Sequence, residues 1–160
     1  MKPDPQLNRI APAEMPDDMA SAWARSMDLR GDATFFEVFA NHPELYRWYV
    51  NQFYGDVFRG GKVAQRYKEL LRLRLSTLHG CRFCNQGNRL DALEAGLTEA
   101  QIAAFESPES GTFTPAELAV LALGTELALT NSTGVLSEAL HGQLAAYFDD
   151  AQILELGLVG

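Results

Sequence analysis

The chain has 160 residues, 47% of them hydrophobic, and 13 basic against 21 acidic side chains give a formal charge of −8 and a pI near 4.8. That balance argues against a nucleic-acid partner, whose phosphates recruit clusters of Lys and Arg. Two cysteines three apart exclude the staple framework of a small secreted domain, and the length suffices for one domain with its own core.

Residues 1–15 hold three of the seven prolines and are expected to form an extended arm, followed by a single all-α domain over 16–160. No apolar run follows a basic start, so no signal peptide is expected. The longest apolar stretch, Ala116 to Leu129, is interrupted by Glu126 and too short to span a bilayer. A soluble, cytoplasmic protein without a membrane partner is the expectation.

From Pro16 the pattern turns helical, with Asp17 and Asp18 suited to a first turn, Trp23 packing inward and Gly31 as the stop. A short helix is predicted over Asp32 to Ala40, with Phe35, Phe36 and Phe39 on one side. Pro43 then opens a helix that should run to Phe58 and stop at Gly60-Gly61. Its aromatics, among them Tyr46, Tyr49, Phe53 and Tyr54, suit core or interface packing, or an apolar wall for an organic substrate.

Lys62 to Leu78 is the next predicted helix, Leu-rich over so much of its circumference that it should be central. Glu69 lies on it, spaced to pair with Arg66 or Arg72 as an ordinary acid, or half-buried and able to exchange protons. The helix ends at His79-Gly80, and Cys81-Arg82-Phe83-Cys84 opens another that runs to Gly96. Residues three apart on a helix share a face, so the two sulfurs can couple. Unpaired N–H groups at a helix start and the nearby Arg82 cation favour thiolate, which makes reactive sulfur the sharper interpretation. Blander ones stand beside it. The cysteines can be small buried hydrophobes, and a zinc site would need ligands beyond His79, the one nearby imidazole. A thioredoxin-like site would need a preceding strand, and a helix stands there instead. The basic residues from Arg59 to Arg89 reverse the overall sign around the motif, for most of them as a solvated face with snorkelling stems.

Thr98-Glu99-Ala100-Gln101 and Thr114-Pro115-Ala116-Glu117 read as capping boxes, each starting a helix, the second ending near Asn131. Gly134 to Phe148 should form an amphipathic helix, and Asp149 to Gln152 caps a last one. That helix reaches Gly160 in an apolar run with no stop signal, which points to coverage in an oligomer or to a chain that continues. No stretch alternates as a strand does, so the fold expectation is all-α.

Glu69, Cys81 twelve positions on and then Cys84, in a helix–turn–helix trailed by Ala95-Gly96-Leu97-Thr98, resemble the alkylhydroperoxidase D and carboxymuconolactone decarboxylase-like superfamily over about residues 62–105. The resemblance implies an all-helical bundle in a homo-oligomer, a trimer or hexamer, without cofactor or metal. It further implies a peroxidase or disulfide oxidoreductase acting on hydroperoxides: Cys84 attacks, Cys81 resolves, Glu69 is the base, and a dithiol protein is the reductant. The family pattern places a histidine four residues after the second cysteine, where this chain has Asn88. An amide cannot carry a proton near neutral pH, so the implied peroxidase is weakened, with His79 as a possible substitute. Two alternatives stay open: a decarboxylase or lactone-processing enzyme in which a basic residue such as Arg66 holds a carboxylated lactone, and a non-catalytic, redox-responsive helical subunit.

Overall fold

The computed structural model describes residues 5–106, 108, 111–130 and 136–160, the side chains of Glu106 and Thr130 apart. These residues form helices and no strand. The chain divides into two compact units, one up to Asp56 and the other Val57–Gly160. Among the described residues no helix is long and apolar enough to cross a membrane.

The first unit opens with a 3₁₀ turn at Pro12–Glu14, then α1 (Asp17–Arg30), α2 (Thr34–Phe39) and α3 (Pro43–Trp48). Helix α2 is shorter than expected because the Asp32 carboxylate takes the Thr34 N–H at 2.9 Å and turns the chain instead of joining the helix. His42 starts α3 by accepting the Leu45 N–H on Nδ1. Met15, Met19, Ala22, Ala40 and Tyr46 form the core of this unit, with Trp23 and the three phenylalanines of α2 packed on it. Glu37 is buried here and accepts from Trp23 Nε1 at 3.0 Å and from Arg9.

Helix α3 does not continue as an α-helix to Phe58. From Tyr49 to Arg59 the backbone is π-helical, one residue wider per turn. Residues five apart then stack, which brings the Tyr49 and Tyr54 rings to 5.0 Å edge-on and their hydroxyls to 3.4 Å. Tyr49 also lies parallel to Phe53 and Phe39, so these aromatics form a packing cluster within the first unit.

The second unit is built around α4 (Gln65–Leu78), which packs against α5 (Arg82–Glu94), α7 (Pro115–Thr125) and α9 (Asp150–Val159). Leu70, Leu71 and Leu73 of α4 are buried, each stabilising the fold by roughly 1.5–3 kcal/mol. Helix α7 comes so close to α4 that a Cβ on Gly124 would stand 3.0 Å from Arg74 Cγ and 3.2 Å from Leu71 Cδ1. Between these lie the short α6 (Glu99–Ala103) and α8 (Glu138–Ala145). The capping boxes at Thr98, Thr114 and Asp149 all form, each with its reciprocal side chain three residues on. Helix α7 widens into a π-helical turn over Glu126–Thr130. Asn131 and Gly134, the expected end of that helix and start of the next, lie outside the described residues. Helix α8 is capped by Ser137.

Helix α4 begins at Gln65 and not at Lys62, and the cause is remote in sequence. Glu155 of α9 accepts the Lys62 and Val63 N–H groups at 2.7 and 3.1 Å, holding that segment out of the helix. The same carboxylate meets Lys68 Nζ at 2.5 Å, and Lys68, fully buried, also donates to the Val57 carbonyl at 2.7 Å. Lys68 and Arg74 thus depart from the solvated basic face expected of this region, while Arg59, Lys62 and Arg82 are exposed.

Candidate functional site

The turn between α4 and α5 sets the site. Gly80 takes φ of 63°, a left-handed conformation with no Cβ to oppose it. Its N–H goes to the Thr77 carbonyl and the Cys81 N–H to Ser76, both at 3.1 Å, which closes the end of α4 in a Schellman motif. The chain is thereby reversed at Cys81, which becomes the N-cap of α5. Cys81 Sγ accepts the Cys84 N–H at 3.2 Å, so a sulfur occupies the place where a Ser or Asp oxygen normally satisfies a helix start.

Cys81 and Cys84 are joined in a disulfide, their Cα atoms 5.3 Å apart. Both are half-buried, with Arg82 between them exposed. The disulfide thus lies within one helical turn, with a hydrogen-bond donor fixed on its Cys81 sulfur.

Glu69, expected as either a surface acid or a half-buried one, is 4% exposed. Of the two arginines at spacing three it pairs with Arg72, Nη2 to Oε2 at 2.7 Å, and its other oxygen accepts from Gln65 Nε2 at 2.8 Å. Burial pushes the Glu69 carboxyl above its ordinary range; Arg72 and Gln65 oppose that shift and the Asp91 charge adds to it. Arg72 Nη2 also reaches Asp91 Oδ2 at 2.5 Å, and the guanidinium lies 4.6 Å from the centre of the Phe58 ring. One cation is thus shared by a buried and a half-exposed carboxylate.

Asn88 stands one turn beyond Cys84 on α5, half-buried, and donates weakly to the Arg72 carbonyl at 3.4 Å. Asp91 is the next residue on that face. Cys84, Asn88 and Asp91 therefore line one stripe of α5, and α4 meets the stripe through Arg72. Asp91, Gln65 and Asn85 are the site residues that sequence reasoning missed. The spacing i, i+4, i+7 from Cys84 was a usable signal for Asp91; Asn85, whose Oδ1 is buried without a hydrogen-bond donor among the described residues, had none.

His79 is exposed at the C-cap of α4, and among the described residues it makes no hydrogen bond to either sulfur. Arg66, the residue expected to hold a carboxylated lactone, is committed elsewhere. Its guanidinium bonds Glu117 at 2.6–2.7 Å, Gln101 at 3.0 Å and the Gly96 carbonyl, which ties α4 to the starts of α6 and α7. Those contacts place each of its three guanidinium nitrogens on an acceptor of the chain itself. Among the described residues no three His, Cys, Asp or Glu side chains converge as a metal site requires.

Comparison with known proteins agrees with this architecture. A solved alkylhydroperoxidase AhpD core, an uncharacterized peroxidase-related protein from Ralstonia eutropha JMP134, superposes with a TM-score of 0.72 over 99% of this chain and 84% of its own. At 15% identity that likeness is one of fold alone. The uncharacterized protein YdfG of Bacillus subtilis (strain 168) is 31% identical over 93 residues, which span 58% of this chain and 63% of that relative. The pattern of the carboxymuconolactone decarboxylase family matches residues 43–126, more than half of the chain and including the whole of α4, the turn and the disulfide, and the chain belongs to that family.

Proposed function

We propose that the chain is a thiol-dependent peroxidase or disulfide oxidoreductase that cycles Cys81 and Cys84 between disulfide and dithiol. The observation that carries this is the disulfide itself, formed across the first turn of α5 with the Cys81 sulfur under a helix N–H. In the oxidative half, Cys84 thiolate attacks the O–O bond of a hydroperoxide. The sulfur becomes a sulfenic acid, and the departing alkoxide takes a proton to leave as an alcohol. Cys81 thiolate then attacks that sulfenic sulfur, forming the disulfide, and the displaced hydroxide takes up a proton to leave as water. In the reductive half, a dithiol protein exchanges with the disulfide and leaves oxidised, returning two thiols.

The capped sulfur supports the order of roles. A donor on Cys81 Sγ favours its thiolate, making Cys81 ready to resolve the sulfenic acid and the better leaving group when a reductant attacks Cys84. Glu69 supports the role of base, because an acid raised by burial holds a proton nearer neutral pH than an ordinary glutamate. Asn88 in place of the family histidine removes a proton carrier beside Cys84, and general acid–base help is typically worth about 10²–10⁴ in rate. Slow turnover is therefore part of the proposal. A homo-oligomer is proposed as well, since Leu154 and Leu158, four apart on α9, stand exposed as a copy-to-copy face would.

The test is turnover with a small alkyl hydroperoxide and a dithiol, paired with mass spectrometry of the protein. Cys84→Ser should abolish turnover, and Cys81→Ser should leave a sulfenic acid that dimedone traps on Cys84. Equal peroxide consumption by wild type and the double serine variant would refute the peroxidase. Trapping on Cys81 in Cys84→Ser, with turnover retained, would reverse the two roles.

A further inference from the structure

A second feature lies on another face of α4, apart from the disulfide. Arg74 is 8% exposed, and its guanidinium has three of five N–H groups placed: Nε and Nη2 on the Thr125 hydroxyl at 3.2 and 3.0 Å, and Nη1 on the Phe105 carbonyl. These acceptors are neutral, and among the described residues no carboxylate pairs with Arg74. Every other guanidinium or ammonium drawn inward in this unit has one: Arg66 has Glu117, Lys68 has Glu155, and Arg72 has Glu69 and Asp91. A buried cation without a counter-charge is costly, because desolvation is not repaid by a partner. Burial accordingly disfavours the charged form of Arg74, and among the described residues no neighbouring charge offsets it.

Arg74 borders a pocket of about 390 Å³ between α4 and α7, within the size range of small-molecule sites. Leu118, Leu121 and Ala122 give it apolar walls, and Thr125 and Glu126 lie at its polar side. The Glu126 carboxylate is turned to the start of α8, with Oε1 and Oε2 accepting from the Ser137 N–H and hydroxyl, both at 2.9 Å. An apolar pocket with one desolvated cation and, among the described residues, two unplaced N–H donors is complementary to an amphipathic anion.

We propose that this pocket binds an aliphatic monocarboxylate, its carboxylate on Arg74 and its hydrocarbon against Leu118, Leu121 and Ala122. A carboxylate supplies the planar, bidentate acceptor that a guanidinium fork matches, and a short- to medium-chain body fits the volume. The site is independent of the thiol chemistry proposed above and stands or falls by itself.

Calorimetric titration of the protein in its disulfide form, with hexanoate and its neutral isostere hexanamide as probes, tests it. Hexanoate should bind saturably, one per chain, and hexanamide at least about tenfold more weakly, since only the former brings a countercharge. Arg74→Gln should erase the preference for hexanoate. Should that variant fail to fold, Ala122→Phe, at a half-buried position, fills the pocket and should abolish binding while circular dichroism shows unchanged helix content. Equal binding of the two probes, binding of neither, or undiminished hexanoate binding by Ala122→Phe would each overturn the proposal.

Discussion

Two glutamates of the second unit, each largely withdrawn from solvent, meet cations one turn apart on α4 and have opposite characters. Glu155 meets Lys68, while Glu69 is the next residue along and meets Arg72. Burial alone would raise both acids. At Glu155 the Lys68 ammonium and the Lys62 and Val63 N–H groups outweigh it and hold the carboxyl below its ordinary range. At Glu69 burial wins over Arg72 and Gln65, and the carboxyl is held above. The difference is the number and exclusivity of the donors. Glu155 has three directed at it, from an ammonium and two backbone groups, whereas among the described residues the one cation that meets Glu69 is shared with Asp91. A carboxylate satisfied from all sides is a structural device; one with an undersupplied charge is available for proton exchange.

Glu155→Gln is the largest expected break in this contrast. It leaves Lys68 buried and unpaired and weakens the anchor of α9 on the start of α4, so unfolding free energy should fall by about 3–5 kcal/mol. Denaturant titration checks it, and a loss under about 1 kcal/mol would mean that the pair is dispensable. The effect should also depend on pH in a definite direction. Because the Glu155 pKa is depressed in the folded state, its contribution is fully present above the ordinary value of 4.5 and lost as pH falls through the lower folded value. Wild type and Glu155→Gln should therefore converge in stability below pH 4.5.

Glu69→Gln should behave the other way, with a smaller change. Gln keeps most of the hydrogen-bonding shape, and removal of an undersupplied buried charge should alter stability at neutral pH by less than about 1 kcal/mol. The Glu69 pKa is raised in the folded state, so the unfolded chain releases its proton first and wild-type stability falls as pH climbs from 4.5 toward the folded value. Relative to Glu69→Gln, wild type should lose stability over that window and run parallel above it. Thiol oxidation by peroxide should slow in the same variant although the fold is intact. A variant as damaged as Glu155→Gln would make Glu69 a structural acid after all.

What the sequence disclosed of these two acids follows the range of the forces involved. Helix starts depend on neighbours three residues away, and Thr98, Thr114 and Asp149 cap where their spacing predicts. The stop at Gly80 and the reversal into Cys81 are equally local, so the position of the disulfide was legible. The start of α4 was not, because the group that sets it is Glu155, more than ninety residues on. The π-helical stretch from Tyr49 was not legible either, since its apolar spacing is compatible with an α-helix; the packing of Tyr49 on Tyr54 belongs to the wider turn. Spacing gave Glu69 two equal arginines. The choice of Arg72 was made elsewhere, by Glu117, Gln101 and the end of α5, which engage Arg66.

The mildest expected effect falls on Asp91, the residue that divides the Arg72 cation. Asp91 is 44% exposed, so its ion pair contributes about 0.5 kcal/mol or less, and Asp91→Asn should leave stability nearly unchanged. Its electrostatic effect on Glu69 should remain measurable. The Asp91 charge pushes the Glu69 carboxyl up and competes for the same guanidinium nitrogen, so neutralising it removes a repulsion and gives Arg72 to Glu69 alone. Both consequences favour the ionised form of Glu69, whose titration, followed by carboxyl ¹³C resonance, should move to lower pH. The pH midpoint of disulfide formation should move with it if Glu69 serves as the base. An upward move of Glu69 would mean that Asp91 holds Arg72 in place for its neighbour and does not draw it away, and the contrast with Glu155 would then rest on burial alone.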